Sequence, residues 1–542
     1  MAAPLIALVA IAMGGDTGTL RHVASTVLPH ALAETALLLA GVAIVAGVAG
    51  VGTAWLVSAY RFPGRLILQA ALVLPLAVPP YIAAYTYVEV LEPLGPVQSA
   101  FRALTGYRSR AEYGWPDIRS LPGAILVMGA VLYPYVYLTT RALFSVQSAN
   151  LLDVARTLGA RPSRIFVTVA LPLARPAVAL GLSLALLEAL NDIGATEYLG
   201  VRTLTVSIYT TWINRGSLAG AAQIACVMLL VVVMLLVLET RARGARGYAE
   251  SLKRPRPAAP ALLSGWQGWA ATLACIVPLT AGFLIPAGYL LHQATVRTLR
   301  RGIDPDFLRE LVASLTFAAV ATVLVVALGA WVAVSVRLCG TRLVRAAARV
   351  TALGYAVPGT VLAVGLLSPL ATVDNAIADS WRALAGVSPG LVLTGSGAAV
   401  VIAYMVRFVG IASGGVETGL SRISMRIDDA ARTLGRRPVQ LTREIHLPLV
   451  RPALLSAALM VFVDAMKELP ATLLLRPLNI DTLATGLYAH ASRGSFEDGA
   501  LAALAIVVVG LVPVVALMRL SPGTPPVEAA AVDPAAVVRP AG

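Results

Sequence analysis

Four carboxylates lie inside stretches that are otherwise apolar: Glu188 and Asp192, and again Asp464 and Glu468. Within each pair the residues are four apart, a spacing that puts both side chains on one face of a helix. An ionisable group in a lipid-facing span costs roughly 2.5 to 3.5 kcal/mol at the helix centre, so such groups turn toward a polar interior. Carboxylate oxygens are hard ligands, and hard, highly charged cations prefer them. Transient contacts with a cation on a translocation pathway are one reading of the set. The other is local, because Lys467 follows Asp464 by three residues and can pair with it, leaving the carboxylates to stabilise helix ends.

Other residue types with chemical potential carry less. Tyr133, Tyr135 and Tyr137 offer phenolic oxygens, but tyrosine in a membrane more often packs or anchors an interface. His292 and His490 fit no metal-binding spacing and read as loop or interface residues. Cys226, Cys275 and Cys339 lie in or beside apolar runs and read as small core residues. Gly386-Val-Ser-Pro-Gly390 matches Gly-x-Ser-x-Gly, the turn of serine hydrolases. The residue after that serine must supply an oxyanion amide, however, and proline has none, so the match reads as a turn. A phosphate-binding P-loop requires Gly-Lys, and neither lysine of the chain, Lys253 or Lys467, follows glycine. No cofactor is expected in this chain.

These residues sit in a chain of 542 residues that is 58% hydrophobic and 13% charged, which excludes an ordinary soluble domain. A helical span needs about 20 mainly apolar residues. Eleven stretches qualify, beginning near Leu37, Leu66, Leu121, Ala174, Ala219, Trp269, Leu311, Val350, Gly390, Leu449 and Gly499. Ala2 to Met13 is too short to cross and lacks the basic start of a signal peptide, so it reads as a truncated or half-inserted first helix. Pro75, Pro79 and Pro80 are expected to kink the second span. Alternate loops carry 24 and 13 lysines and arginines, which assigns the richer set, at 61–65, 141–175, 241–256, 337–349 and 422–451, to the cytoplasm.

An internal repeat organises the whole. Asp153-Val-Ala-Arg-Thr-Leu-Gly159 recurs as Asp429-Ala-Ala-Arg-Thr-Leu-Gly435, an offset of 276 residues that also relates Trp55 to Trp331, Arg61 to Arg337, and the two carboxylate pairs. Duplication and fusion explain it, with both halves entering the membrane in the same sense. The first half covers 1–240, a cytoplasmic linker 241–262, the second half 263–520, and a tail expected to be disordered 521–542. In each half a cytoplasmic loop, 150–172 or 426–448, reads as a short helix, a reversal at Gly159 or Gly435, and a second short helix. Proline then ends that helix at Leu171-Pro172 or Leu447-Pro448.

These loops resemble the Glu-Ala-Ala motif of ATP-binding-cassette importer permeases, in which glycine follows four residues on and Ile-x-Leu-Pro closes the segment. The matching residues are Asp153, Ala155, Gly159, Leu171 and Pro172, then Asp429, Ala431, Gly435, Leu447 and Pro448; aspartate replaces the glutamate in both halves. The resemblance implies an all-α type I importer fold, tandem duplicated, in a bacterial inner membrane. It also implies docking of these loops on two ATP-binding cassette subunits. Leu132-Tyr-Pro-Tyr-Val-Tyr-Leu138, Leu190-Asn-Asp-Ile-Gly-Ala-Thr-Glu-Tyr198 and Met466-Lys-Glu-Leu-Pro-Ala-Thr-Leu-Leu-Leu-Arg-Pro477 further resemble fused ferric-iron permeases. They imply an extracytoplasmic iron-binding protein as partner. Fused thiamine permeases share the architecture and stand as the alternative; a passive channel or an intramembrane enzyme has no use for the paired loops.

Overall fold

Inside a bilayer every backbone amide must find its partner within the protein, and this chain meets that demand almost wholly with helices. The computed structural model describes residues 2–15, 17–146, 162–243 and 260–520. Among the described residues nine helices are long and apolar enough to cross. The first half supplies Val23–Ala59, Leu121–Ser145, Phe166–Asn191 and Leu218–Arg243. The second supplies Trp266–Arg301, Pro305–Cys339, Gly359–Ala385, Ala398–Ser421 and Phe496–Ala516.

The two remaining expected spans are broken rather than merely kinked. Arg65–Ala77 and Pro80–Thr105 meet at 93°, and Pro438–Leu449 and Arg451–Met466 at 73°. At the first break Pro79 and Pro80 remove consecutive amides and leave Val78 in an extended conformation, so no helical turn bridges the gap. One small exception to the all-α expectation is a parallel pairing of Tyr60–Arg61 with Ala261–Leu262. It ties the end of the segment read as linker to the turn that follows Val23–Ala59. The helix Leu218–Arg243 runs into the segment read as linker. Residues 244–259 and the tail 521–542 lie outside the described residues.

The two halves exchange their leading helices. Ala2–Met13 forms a short helix that packs on Leu218–Arg243 of its own half and Gly359–Ala385 of the other. Leu8 is fully buried there, and a Cβ on Gly365 would run into the Pro4 carbonyl. Reciprocally, the long helix Trp266–Arg301 lies against Leu121–Val146 and Pro80–Leu91 of the first half. Gly282 gives it clearance over the Ala130 carbonyl. Cys275 is buried as expected, but Cys339 is exposed, because it closes Pro305–Cys339 immediately before the left-handed Gly340.

Small residues set the closest approaches, as packing without a hydrophobic driving force requires. Val136 is held between Gly50 and Gly181 on two neighbouring helices: a Cβ on Gly50 would lie 2.6 Å from the Val136 Cβ, and one on Gly181 would lie 2.6 Å from the Val136 Cα. Gly52, on the same helix as Gly50, faces open space. Gly50→Leu is therefore expected to destabilise the bundle by about 1–3 kcal/mol or more. Gly52→Leu is expected to leave it unchanged or slightly better. Melting temperatures of the detergent-solubilised variants check the contrast.

Candidate functional site

The repeat places the same device at the end of one helix in each half. Helix Leu171–Asn191 stops at Asp192, whose carboxylate accepts the Ala195 amide at 2.7 Å and caps the short helix Ile193–Tyr198. Helix Arg451–Met466 stops at Lys467, and Glu468 accepts the Ala471 and Thr472 amides, each at 3.0 Å, at the start of Pro470–Leu475. Thr196 and Thr472 donate back to the carbonyls of Asp192 and Glu468 at 2.8 and 3.0 Å. The Ala-Thr that follows each carboxylate thus supplies the amide and hydroxyl partners. This corrects the expectation of one continuous helix face: Glu188 and Asp192 flank a break, as do Asp464 and Glu468. A side-chain acceptor at the N-cap, as Asp192, or one residue before it, as Glu468, competes with the helical ladder where the chain turns.

All four carboxylates nevertheless line one small cavity between the halves, with Tyr81, Asn191, Tyr355, Arg407 and Lys467 also in its wall. The charges are unequally balanced. Arg407 reaches Glu468 at 3.1 Å and Lys467 reaches Asp464 at 2.9 Å, so both second-half carboxylates have cationic partners. Among the described residues neither Glu188 nor Asp192 is in an ion pair, and four acids against two bases leave the cavity net negative. Among the described residues no three histidine, cysteine or acidic side chains converge tightly enough to hold a metal ion. A passing cation would meet these carboxylates singly or in pairs.

Arg407 went unremarked in the sequence, although a lone arginine within Ala398–Ser421 carried the same signal as the carboxylates. It is buried, and its guanidinium also reaches Asn191 Oδ1 of the first half at 3.4 Å, which in turn accepts the Gly359 amide at 2.8 Å. A Cβ at Gly359 would lie 2.4 Å from the Arg407 guanidinium and 2.7 Å from the Glu468 carboxylate, so a side chain there would have to displace that ion pair. Of the three tyrosines, Tyr135 lies near Glu188 and Asp464 and bonds Tyr355, whereas the other two lie elsewhere. Tyr133 is fully buried and Tyr137 donates to the Gln69 carbonyl at 2.7 Å; neither lines the cavity. His292 and His490 lie within helices rather than loops, and Ser388 sits in an exposed turn.

The second cytoplasmic loop folds as helix Met425–Thr433, a reversal at Gly435 with φ +75°, and a helix opened by Pro438. Asp153, Ala155 and Gly159 of the first loop lie outside the described residues. Leu-Pro does not end the second helix in either half. A π turn, Phe166–Ala170 or Thr442–His446, comes immediately before it, with the Leu171 amide bonding Phe166 and that of Leu447 bonding Thr442. The widened turn accepts the proline ring, so Leu171 and Pro172 begin a helix that continues to Asn191. In the second half the bend falls later, at Val450.

A buried lock holds this second loop to the bundle. Arg337 donates to both Asp428 oxygens, at 2.8 and 3.1 Å, and to the carbonyls of Leu420 and Ile423, while His446 contacts Asp428 at 3.0 Å. Burial alone would raise the Asp428 carboxyl, but the hydrogen bonds from Arg337 and His446 outweigh it and hold the group below its usual range. The stability it contributes is thus present above the ordinary carboxylate pKa and lost as pH falls through the depressed one. Outside the lock, Ala431 is buried, Asp429 is exposed, and Leu434 and Val439 are 81% and 77% exposed.

Removing one partner of a buried ion pair costs about 3–5 kcal/mol. Asp428→Asn is therefore expected to lower amide-exchange protection across 425–446 at neutral pH, without altering the helices of the first half. Arg407→Ala is expected to lower the melting temperature, and adding Glu468→Ala should cost less than the sum of the two single changes.

Comparison with known proteins agrees with this architecture. The family described as binding-protein-dependent transport system inner membrane component matches twice, over residues 46–244 and 325–521. The Fe(3+)-transport system permease protein FbpB 2 of Haemophilus influenzae is 26% identical over 504 residues, covering 90% of this chain and 89% of its own. The molybdenum transport system permease protein ModB of Escherichia coli is 30% identical over 37% of this chain and 87% of its own. A putative 2-aminoethylphosphonate transport system permease protein, PhnV of Salmonella typhimurium, is 28% identical over 44% and 82%. With two copies of the family's domain joined in tandem, and nine helices among the described residues long and apolar enough to cross a membrane, the chain belongs to the binding-protein-dependent transport system inner membrane components, as a fused two-half permease.

Proposed function

We propose that this permease carries ferric iron inward, handed over by an extracytoplasmic iron-binding protein and driven by two separate ATP-binding cassette subunits. The observation that carries the cargo is the charge of the cavity between the halves. Among the described residues Glu188 and Asp192 form no ion pair, while Asp464 and Glu468 are paired with Lys467 and Arg407. A surplus of carboxylate oxygens favours a hard cation over an oxyanion. An oxyanion, of the kind suggested by the molybdenum relative, would need Arg407 and Lys467, and both are already engaged. Similarity to the Fe(3+) permease along nearly the full length of both chains points the same way.

The docking surfaces for the ATPases are the segments Asp153 to Pro172 and Asp429 to Pro448. In the second, Leu434 and Val439 stand exposed beside Asp429, on a loop fixed to the bundle by the Arg337–Asp428 lock. Apolar side chains this exposed on the cytoplasmic side are suited to a groove on a partner. ATP and magnesium act in that partner. Closure of the two ATPase subunits would move the loops together and open the cavity toward the binding protein.

Reconstitution with the ATPase and binding protein in liposomes tests the reading. ATP-dependent ferric uptake is expected, reduced about tenfold or more in Glu188→Gln and Asp192→Asn at normal expression. Leu434→Asp with Val439→Asp is expected to abolish copurification of the ATPase. Uptake of thiamine or molybdate instead of iron, or uptake without ATP, would overturn it.

A further inference from the structure

Between the cytoplasmic ends of two second-half spans lies a helix that the transport function does not use. Gly340, at φ +54°, ends Pro305–Cys339, and Thr341 caps the 11-residue helix Arg342–Ala352 by accepting the Val344 amide at 3.3 Å. At 100° per residue its side chains fall into three stripes. Val344 and Ala348 are half-buried on the side that packs against Ala398–Ser421. Arg342, Arg345 and Arg349 share a second stripe, about a third of a turn round from the first, and are all exposed. Between the two lie Leu343 and Val350, 80% and 44% exposed, followed by Leu353 at 52%.

Nothing in the protein answers either exposed stripe. The ion pairs of this region end at Arg337, and among the described residues none involves Arg342, Arg345 or Arg349. An arginine stripe flanking an apolar one, at the end of a membrane span, is the arrangement that a bilayer surface satisfies: acyl chains cover the leucine and valine while phosphates meet the guanidinium groups. The first-half counterpart, Arg65–Ala71, exposes Leu66 and Ile67 at 72% and 75% but has one arginine, whose Nε is turned inward to the Val57 carbonyl at 2.7 Å. Both helices therefore suit the membrane boundary, and only the second carries a charged stripe.

We propose that Arg342–Ala352 is a binding site for anionic phospholipid of the cytoplasmic leaflet, with Arg342, Arg345 and Arg349 holding phosphodiester headgroups. Charge complementarity selects this occupant over a neutral lipid, and the neighbouring apolar stripe selects it over free phosphate.

The full chain, reconstituted in phosphatidylcholine bilayers doped with spin-labelled phosphatidylglycerol or spin-labelled phosphatidylcholine, provides the test. A surface arginine contributes about fivefold to binding of an anionic membrane. Arg342→Gln/Arg345→Gln/Arg349→Gln should lower the relative association of the anionic lipid by about tenfold or more. The corresponding triple lysine variant should retain it. Arg432→Gln/Arg436→Gln/Arg443→Gln, which removes equal charge from the neighbouring loop, should leave it unchanged. Equal losses in both glutamine variants would reduce the effect to net charge and overturn the proposal. So would displacement of the labelled lipid by inorganic phosphate, which would identify a free-anion site. Loss of the copurifying ATPase with unaltered lipid selectivity would assign the helix to a protein interface instead.

Discussion

Everything about the cavity follows from the cost of interrupting a helix where water is scarce. A helix that stops leaves carbonyls behind it, and the one that starts next presents amides without partners. Both halves resolve the second problem with a carboxylate, Asp192 in one and Glu468 in the other, each followed by Ala-Thr so that amides and a hydroxyl converge on it. A neutral cap would serve as well for hydrogen bonding. A charged one also places a negative group beside the space that the break opens, so the same residue builds the wall of the cavity and sets its sign.

Burying charge creates a second demand, and the halves answer it differently. At the positions equivalent to Asn191 and Asp192 the second half has Lys467 and Glu468, and the position equivalent to Arg407 at the same offset is Val131. The second half is thus internally compensated through Arg407–Glu468 and Lys467–Asp464, while the first contributes uncompensated carboxylates. Asn191 links the two by accepting from both the Gly359 amide and Arg407. Duplication supplied two copies of one scaffold, and the two copies differ in how their carboxylates are paired.

Much of this was legible in the sequence, for reasons that differ by feature. Apolar length marks spans because lipid enforces it, and the 276-residue offset pairs Gly159 with Gly435 and Glu188 with Asp464 without any geometry. Breaks are harder to see. Asp192 follows an unbroken apolar run, and only its cap on Ala195 separates an interrupted helix from a continuous one. Leu-Pro read as a stop because proline lacks an amide, whereas the π turn before it lets the helix run on through the proline. The exchange of leading helices is likewise invisible in one dimension, since Pro4 and Gly365 meet only across the two halves. Arg407 was readable by the very argument applied to the carboxylates, but counting charges loop by loop passed over it.

The π turns bear on how motion at the loops could reach the cavity. In the first half the helix that begins at Leu171 continues for 21 residues to Asn191, about 30 Å at 1.5 Å per residue, and ends on the capping carboxylate. A displacement at its cytoplasmic end is carried by one rod. In the second half the same path bends by 73° at Val450, which would absorb such a displacement. The Arg337–Asp428 lock lies on the cytoplasmic side of that bend and joins the loop to the 35-residue helix Pro305–Cys339 instead. That helix packs against both Ala398–Ser421, which carries Arg407, and Arg451–Met466, which carries Asp464. The described end of each loop is thus joined to the helices that carry its own half's carboxylates, directly in the first and through a neighbouring span in the second.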